Sequence, residues 1–516
     1  MKTWCSVVVG LLLMNAGLAS SWRPESLGAE RPNVVLFLVD DMGVMDTSVP
    51  FLTDSLGQPK RYPLNDFYRT PGMDRLAQRG VRFSNFCALS VCSPTRISLL
   101  TGQSSARHRT TNWISPDADN RGPRGPQNWN WKGLASTAVS LPRLLRDAGY
   151  RTIHVGKGHL GPRGSNGEDP RNIGFDINIG GSSIGQPGSY YGEQNYAATG
   201  KKPANPVPHL EKYHGTKTFL SEALTLEAKA AVSQAVQDQK PFYLNFAHYA
   251  VHAPFQSDPR FINHYRDSGR PPAAQAFASL VEGMDKSLSD LLDHLEQLGV
   301  AENTLILFLG DNGSDAPLGH EHEVACAAPL RGRKGAHYEG GMRVPMIAAW
   351  ARPRDGHLGQ RRVPIAAGTI QTQLASVLDL FPTILAATGV EEPREHVIDG
   401  LPLVSLFNGR PDPSRPQRFL MHYPHAPHRS NYFTTFRHDD WKVIYHYFPT
   451  PVSQPSHYQL FNLADDPFES QDVADTEPKV LRSMMAKLID ELQRCAAVYP
   501  VDEHGQPLMP QLPRAE

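Results

Sequence analysis

The sequence predicts an α/β fold in which helices sandwich a large mixed sheet. Four short runs are almost wholly apolar, and strands of that kind are buried on both faces, as in a parallel or mixed sheet. The predicted strands are residues 34–39, 152–155, 242–247 and 305–309. Leucines at helical spacing lie between these strands, at residues 141–145 and 280–295. Alternation of strands and helices is typical of a sheet layered between helices.

Polar residues follow each predicted strand within a few positions. In chain order they are Asp40 and Asp41, Lys157 and His159, His252, and Asp311 and Asn312. Ligands of such sheets bind beyond the carboxyl ends of the strands, so we expect these side chains to meet in one site.

The aspartates and the asparagine of this set carry only oxygen donors. They are Asp40, Asp41, Asp311 and Asn312. Oxygen donors suit Ca²⁺ or Mg²⁺. An Asp-Asp pair alone is a weak signal, however, and the same carboxylates could be solvated turn or cap residues.

Residues 156–161 match the glycine pattern of dinucleotide-binding proteins. That pattern functions only where a helix begins at the glycines and points its N-terminus at the pyrophosphate. Pro162 and the glycine-rich residues after it cannot form such a helix, so we exclude a dinucleotide cofactor. Lys157 and His159 are two positions apart in a segment expected to be extended, where both would face one side and suit an anion.

The C-terminal part of the chain predicts a smaller α+β subdomain at residues 400–516, after a larger domain at 20–399. Residues 441–447 and 458–461 predict short antiparallel strands. A terminal helix is expected after Pro478, because apolar residues recur at helical spacing there. These residues are Leu481, Met484, Leu488 and Leu492.

Residues 1–19 predict a cleaved signal peptide. Lys2 precedes an apolar run at residues 7–13, and small residues at 17–19 offer a cleavage point. A membrane anchor is the alternative, but the run is too short to span about 30 Å of hydrocarbon. We therefore expect an exported protein, periplasmic or secreted, without a membrane span.

Composition excludes several classes of protein. The 51 Lys and Arg residues balance 52 Asp and Glu residues to a net charge of −1, so no basic surface for nucleic acid is indicated. With 40% hydrophobic residues, the 516-residue chain can bury a large core, which excludes disorder as its main state. Four cysteines follow the leader, and their spacing predicts neither a dense disulfide framework nor a zinc site. They are Cys87, Cys92, Cys326 and Cys495.

The most specific motif is CSPTR at residues 92–96, followed by LLTG at 99–102. This C-x-P-x-R string with its L-T-G extension resembles the signature of the sulfatase family, whose fold is alkaline-phosphatase-like. Further family-like segments occur in the family's order from Pro32 to Pro467, so the resemblance covers nearly the whole chain. It implies that residues 20–399 are the catalytic domain.

The resemblance implies a nucleophile and a metal. Cys92 would be oxidised by a formylglycine-generating maturation enzyme, and the hydrated aldehyde would attack the sulfur of a sulfate ester. One Ca²⁺ would be bound at the strand ends. The residues matched to its ligands are Asp40, Asp41, Cys92, Asp311 and Asn312.

The remaining matched residues would handle the sulfate group and the protons. Lys157 and Lys334 match the lysines that hold sulfate. His159 matches the partner of the formylglycine hydroxyl, and His252 matches the general acid to the leaving oxygen. Arg96 matches the residue that steadies the nucleophile.

Two departures from the family pattern are visible. Gly158 stands where the family often has Trp, and Val251 stands where Pro often precedes the acid histidine. Neither change removes a reacting group.

The expected substrate is a sulfated oligosaccharide or polysaccharide, because export and a loop-rich rim favour a glycan. Three residues are expected to line the rim of the pocket, together with the substrate-contacting Lys157, His252 and Lys334. They are His322, His425 and Arg429. Trp113, Trp129 and Trp131 are further aromatic residues that could stack on a sugar ring.

The histidines at 320–323 and 422–428 could instead form a second metal site, which we consider less favoured. Similarity of the region 422–425 to bacterial carbohydrate sulfatases favours an exo-acting enzyme on a sulfated galactose-type residue.

Two other functions stay open at this point. The chain could hydrolyse phosphate or phosphonate esters with the same nucleophile. It could also be an inactive protein that binds sulfated glycans, in which Cys92 would stay a thiol. The sequence gives no indication of the oligomeric state.

Overall fold

The computed structural model describes residue 1 and residues 31–200, 203–318, 326–426, 430–450 and 456–514. Apart from Met1, the predicted signal peptide at 1–19 lies outside this part of the chain. Within it, no helix has both the length and the apolar character needed to cross a membrane.

The main sheet has eight strands in the order β5-β4-β6-β1-β7-β8-β2-β9, and a two-stranded sheet pairs β3 with β10. Five neighbouring strands from β5 to β7 are parallel, and β8 is antiparallel to both of its neighbours. The strands are β1 Asn33–Val39, β2 Gly80–Phe83, β3 Phe86–Cys87, β4 Arg151–Gly156, β5 Ile177–Ile179, β6 Phe242–Ala247, β7 Thr304–Gly310, β8 Met346–Trp350, β9 Thr369–Gln371 and β10 Ala375–Ser376.

Helices cover both faces of this sheet. The α-helices of the described residues, including α11 on the second sheet, are α1 Pro63–Phe67, α2 Pro71–Arg79, α3 Cys92–Thr101, α4 Ser105–His108, α5 Leu141–Asp147, α6 Leu220–Gln237, α7 Pro272–Gln297, α8 Glu339–Met342, α9 Leu358–Arg362, α10 Leu380–Thr388 and α11 Pro478–Arg494. Single turns of 3₁₀-helix connect several of these elements.

Strand β1 shows why the predicted strands are almost wholly apolar. Val35 and Phe37 pack against α2, α6 and α7 on one face. Leu36 and Leu38, which alternate with them, pack against α3, α5 and α10 on the other. Because successive side chains of a strand point to opposite faces, a strand between two helical layers needs apolar residues throughout. The predicted mixed sheet between helical layers is confirmed.

A second sheet lies in the C-terminal part of the chain. It is antiparallel, in the order of its strands β11 Arg418–Tyr423, β12 Phe433–His438, β13 Trp441–His446 and β14 Tyr458–Asn462. Met484 and Leu488 of α11 pack on one face of this sheet. On the other face, Phe419 packs in a cluster with Leu89 and Val91, which precede the first residue of α3. The expected antiparallel sheet and terminal helix are confirmed, whereas the boundary near residue 400 stays a prediction.

Buried charges bind this second sheet to the main domain. Lys442 of β13 is wholly buried, with its Nζ 3.0 Å from Glu339 of α8 and 2.5 Å from Glu469. Arg437 of β12 also contacts Glu339, at 3.0 Å. Glu469 therefore has its cation from the second sheet, whereas Glu339 also contacts Arg343 of the main domain, at 2.6 Å.

We expect Lys442→Met to lower the free energy of unfolding by about 3 kcal/mol, because it leaves buried Glu469 without its cation. Lys286→Met, which removes an exposed ion pair with Asp290 within α7, should lower it by no more than about 0.5 kcal/mol. Denaturant unfolding of both variants checks this prediction. Equal losses would show that the buried pair adds nothing beyond an exposed one.

Candidate active site

The loops after β1 and β7 meet at the carboxyl end of the sheet. Because these strands are parallel neighbours, Asp41 and Asp311 follow them at the same edge. The backbone N–H of Asp41 donates to Asp311 Oδ1 at 3.0 Å, and Asn312 Nδ2 donates to Asp41 Oδ1 at 2.9 Å. All four side chains are at most 1% exposed: Asp40, Asp41, Asp311 and Asn312. The strand ends thus bring together the four residues with oxygen donors.

Each of the three carboxylates has its own cation. The pairs are Lys157 with Asp40, Lys334 with Asp41 and Arg96 with Asp311, with shortest N···O distances of 2.7, 2.6 and 2.8 Å. All six side chains are at most 6% exposed. Burial alone would raise the pKa of Asp41, but the charges of His252 and Lys334 outweigh it and hold that pKa well below its usual range.

Arg96 joins three elements of the site. Its guanidinium donates two hydrogen bonds to Asp311 Oδ2, and Nη1 donates to the backbone carbonyl of Lys157 at 2.9 Å. Since Arg96 lies one turn after Cys92 in α3, it fixes the start of this helix against the ends of β4 and β7.

Cys92 is the first residue of α3 and is 3% exposed. Its Sγ lies within 4.8 Å of carboxylate oxygens of Asp40, Asp41 and Asp311, and of a ring nitrogen of His252. Burial raises the pKa of the Cys92 thiol to about 12. An unmodified Cys92 is therefore a protonated thiol near neutral pH, which is a poor nucleophile.

Two histidines lie beside Cys92. His159 Nε2 donates to the carbonyl of Ile114 at 2.7 Å, and its buried Nδ1 has no hydrogen-bond partner among the described residues. Burial holds the pKa of His159 well below its usual value, so the ring is neutral and Nδ1 is a free acceptor. The ring lies against Gly185, where a Cβ would be 2.7 Å from His159 Cε1. Gly185 therefore makes room for this imidazole.

His252 presents its Nε2 to the carboxylate cluster. Nδ1 donates to the carbonyl of Ala253 at 3.0 Å, and Nε2 lies 3.5 Å from Asp41 Oδ2. Burial lowers the pKa of His252 to about 4, and the charge of Asp41 opposes that shift. Nε2 is thus the atom that can gain and lose a proton in the site.

A cavity of roughly 550 Å³ opens directly above Cys92. A volume of this size is ordinary for a small-molecule site. Its lining includes Cys92, His159, His252 and Lys334 from the sequence-predicted set. The remaining lining comes from loops, and it includes Trp113, Ser115, Pro116, Asp117, Gly185, Gln186, Pro203, Asn205 and Asp315.

Some sequence-predicted residues lie elsewhere. Lys157 is wholly buried on Asp40 and does not line the cavity. The segment is not extended as predicted, because the backbone of His159 has a left-handed φ of 56°. The two side chains therefore do not face the same side: Lys157 contacts Asp40 beneath the cavity, and His159 lines the cavity.

The predicted rim residue His425 does not line the cavity. His425 is 1% exposed, with Nε2 2.7 Å from Thr111 Oγ1 and Nδ1 donating to the carbonyl of Arg121 at 3.0 Å. His322 and Arg429 lie outside the described residues. Of the three tryptophans, Trp113 lines the cavity, whereas the buried Trp129 donates to Asp119.

The alternative second metal site gains no support from the described histidines. His422 contacts Thr434 Oγ1 at 2.7 Å and donates to the carbonyl of Val498. Its nitrogens and those of His425 are already bonded to protein groups.

Residues that the sequence did not single out also reach the cavity. Asn205 and Gln186 lie in loops rich in glycine and proline, with no motif and no periodicity to mark them. Only the folded positions of these loops show that they line the same cavity as Cys92.

Comparisons with known proteins agree with this arrangement. The model of the sulfatase family matches residues 32–390, and a model described as the C-terminal part of N-sulphoglucosamine sulphohydrolase matches residues 333–497.

Individual relatives match over most of their length. N-acetylgalactosamine-6-sulfatase of Mus musculus is 32% identical over 407 residues, which cover 76% of this chain and 68% of the relative. A sulfatase of Formosa agariphila is 27% identical over 534 residues, covering 93% of this chain and 90% of the relative.

The fold has close counterparts among solved structures. The crystal structure of Ps i-CgsB has a TM-score of 0.68 and 25% identity, and the match covers 90% of this chain and 93% of that one. A second crystal structure of Ps i-CgsB, in complex with k-i-k-neocarrahexaose, has a TM-score of 0.67. With the family model spanning both strand-end loops and the CSPTR motif, the chain belongs to the sulfatase family and is a sulfuric ester hydrolase of the alkaline-phosphatase-like fold.

Proposed function

We propose that the protein is an exported, Ca²⁺-dependent carbohydrate sulfatase whose nucleophile is a formylglycine derived from Cys92. The observation that carries this proposal is the placement of Cys92 at the floor of the cavity, beside three carboxylates and a histidine. A hydrated aldehyde there would supply an oxygen nucleophile for sulfur.

The site fits a hard cation. Asn312 Oδ1 is buried without a hydrogen-bond partner among the described residues, while its Nδ2 donates to Asp41. Asp40, Asp41 and Asp311 add carboxylate oxygens, and oxygen donors are the set that Ca²⁺ prefers. We assign Asp40, Asp41, Asp311, Asn312 and the modified residue 92 as its ligands. When bound, Ca²⁺ would offset negative charge on the sulfate oxygens and lower the pKa of a coordinated hydroxyl.

Two lysines and an arginine supply the permanent positive charge. Lys334 lines the cavity, where its ammonium group can donate to a sulfate oxygen while Asp41 holds it in place. Lys157 acts from beneath the cavity, through its position on Asp40. Arg96 orients Asp311 and the start of α3, and so steadies residue 92.

The two histidines are assigned different steps of proton transfer. His159 Nδ1 is free to accept a hydrogen bond from a hydroxyl on residue 92, because Nε2–H is committed to Ile114. His252 is assigned as the donor of a proton from Nε2 to the leaving alcohol oxygen in its protonated form, which the negative charge of a bound sulfate ester would favour. The two histidines follow different strands, His159 after β4 and His252 after β6.

Carbohydrate is the substrate class favoured by the relatives and by the cavity. The relative from Mus musculus is named for 6-sulfated N-acetylgalactosamine, and Ps i-CgsB has been crystallised with a neocarrahexaose. A cavity of roughly 550 Å³ suits one or two sugar rings at a chain end. We therefore propose exo action on a sulfated galactose-type residue. Maturation of Cys92 requires a formylglycine-generating enzyme as a partner.

A panel of defined sulfated oligosaccharides tests the substrate. The protein is co-produced with a formylglycine-generating enzyme and assayed with Ca²⁺ for released sulfate. We expect faster release from a terminal 6-sulfated galactose or N-acetylgalactosamine than from the same residue inside a polymer. Release confined to polymer interiors would contradict exo action. A preference for the matching phosphate ester would contradict the sulfate assignment.

A further inference from the structure

One wall of the cavity is built from two segments held together by backbone hydrogen bonds. The N–H of Gly188 donates to the carbonyl of Asn205 at 2.8 Å. The same stretch of chain begins at Gly185, which packs directly against the ring of His159. Asn205 is therefore fixed in position relative to the reaction centre.

The side chain of Asn205 lacks a protein partner in this wall. It is 9% exposed and lines the cavity, and its buried Oδ1 has no hydrogen-bond partner among the described residues. Buried amide oxygens in folded proteins are almost always paired. The carbonyl group of Asn205 thus lacks the partner that a bound molecule would supply.

The backbone conformation suits this residue type. Asn205 has a left-handed φ of 43°, which Asn tolerates better than most residues other than Gly. Glycine could adopt the same backbone conformation at position 205, so the conformation alone does not require the polar side chain of Asn205.

Trp113 adds an aromatic surface to the same cavity. Its backbone carbonyl accepts from Asn120 Nδ2 and its N–H donates to Asn112 Oδ1, each at 2.9 Å. Its side chain packs against the cluster that includes Val91. The indole is consequently held by the fold before any ligand binds, and an aromatic ring of this kind stacks on the apolar face of a sugar.

We propose that Trp113 and Asn205 form the subsite for the sugar ring that carries the sulfate. Trp113 supplies the stacking surface, and the Asn205 amide hydrogen-bonds a hydroxyl group of that ring, which can both donate and accept. This inference rests on the proposed carbohydrate sulfatase function and goes further by naming the residues that select a sugar over another sulfated alcohol.

Two substrates separate sugar recognition from sulfate chemistry. N-acetylgalactosamine 6-sulfate carries ring hydroxyls, whereas 4-nitrophenyl sulfate carries none. We expect Asn205→Gly to lower kcat/KM for the sugar sulfate by about 10- to 100-fold, the range for leaving a buried hydrogen bond unmade. For 4-nitrophenyl sulfate, kcat/KM should change by less than about 2-fold, because this substrate has no ring hydroxyl to lose a hydrogen bond. Glycine also adopts the left-handed φ of position 205 without strain, so the backbone should keep its conformation.

Trp113 is tested by its own pair of variants. Trp113→Ala should lower kcat/KM for the sugar sulfate by about 10-fold or more, and Trp113→Phe should restore most of it, because Phe keeps an aromatic face. The matched control is Asn195→Gly. Asn195 also has a left-handed φ, of 52°, but it is exposed and does not line the cavity. Its variant should hydrolyse both substrates at the wild-type rate.

The outcomes distinguish this inference from the proposed function. Equal losses on both substrates for Asn205→Gly, or no loss on the sugar sulfate for either Asn205→Gly or Trp113→Ala, would overturn the subsite. Wild-type hydrolysis of 4-nitrophenyl sulfate without hydrolysis of any sulfated sugar would instead contradict the carbohydrate substrate, and the subsite with it.

Discussion

Cys92→Ala is expected to abolish sulfate release while leaving the protein folded. Alanine fills the first position of α3 without strain, and the three carboxylate–cation pairs around it do not involve the Cys92 side chain. The substitution removes the group that attacks sulfur, which is also one of the five proposed metal ligands. Binding of the sulfated substrate, measured by calorimetry, should persist because both lysines and the other four proposed metal ligands remain.

The matched control is Cys495→Ala. Cys495 is also a buried free cysteine, 1% exposed, but it lies at the end of α11, in the hydrophobic cluster that contains Met484 and Leu488. Its variant should retain wild-type turnover. Loss of activity in both variants, with matching losses of stability, would assign the effect to packing and not to the nucleophile.

Intact peptide masses test the chemical nature of residue 92 directly. In the active wild type, the peptide around Cys92 should be about 18 Da lighter than the cysteine form, the difference between a thiol and an aldehyde side chain. Cys92→Ser should show no such change. A fully active preparation with an unmodified thiol would overturn the proposed mechanism.

Asp311→Asn is expected to lower kcat/KM by about 10³-fold or more. The substitution keeps the volume and an oxygen that can accept from Arg96, but it removes one negative charge from the proposed metal site. Metal ions contribute several kcal/mol of charge stabilisation, which corresponds to losses of this size. Chelation of the wild type should have the same effect, and added Ca²⁺ should reverse it.

Thermal unfolding gives a measurement of the metal site that does not depend on turnover. Ca²⁺ should raise the Tm of the wild type, because a ligand that binds only the folded state stabilises it, and it should raise the Tm of Asp311→Asn much less. Asp285→Asn is the matched control, since Asp285 is equally buried but accepts from Gly72 and Met73 in another part of the fold. A normal Ca²⁺ shift in Asp311→Asn would rule out Asp311 as a ligand.

The main elements could be predicted from the sequence because a strand that is buried on both faces of the sheet is an almost continuous run of apolar residues. The strands β1 and β7, which precede the carboxylates, have no polar side chain after their first residue, so the end of each is marked by the next polar residue. The parallel arrangement then places Asp40 and Asp311 at one edge without further information. The convergence of the carboxylates follows from these two facts.

The cavity wall could not be predicted in the same way. His425 was expected at the rim, yet its neighbours Thr111 and Arg121 come from a distant loop that satisfies both ring nitrogens. Asn205 shows the opposite case, in which a loop residue without any pattern reaches the cavity. Loops are positioned by tertiary contacts between segments far apart in sequence, and no local periodicity records those contacts.

The packing of the second sheet against Leu89 and Val91 affects the order in which the chain can fold during synthesis. The chain before Cys92 is covered by β11, which begins only at Arg418. During synthesis from the N-terminus, the chain leading to Cys92 therefore emerges long before the strand that covers Leu89 and Val91, and contacts between such distant segments form slowly. Until that strand arrives, the approach to the start of α3 lacks part of its packing. The order of synthesis thus leaves an interval in which the proposed modification of residue 92 would precede the completion of the fold around it.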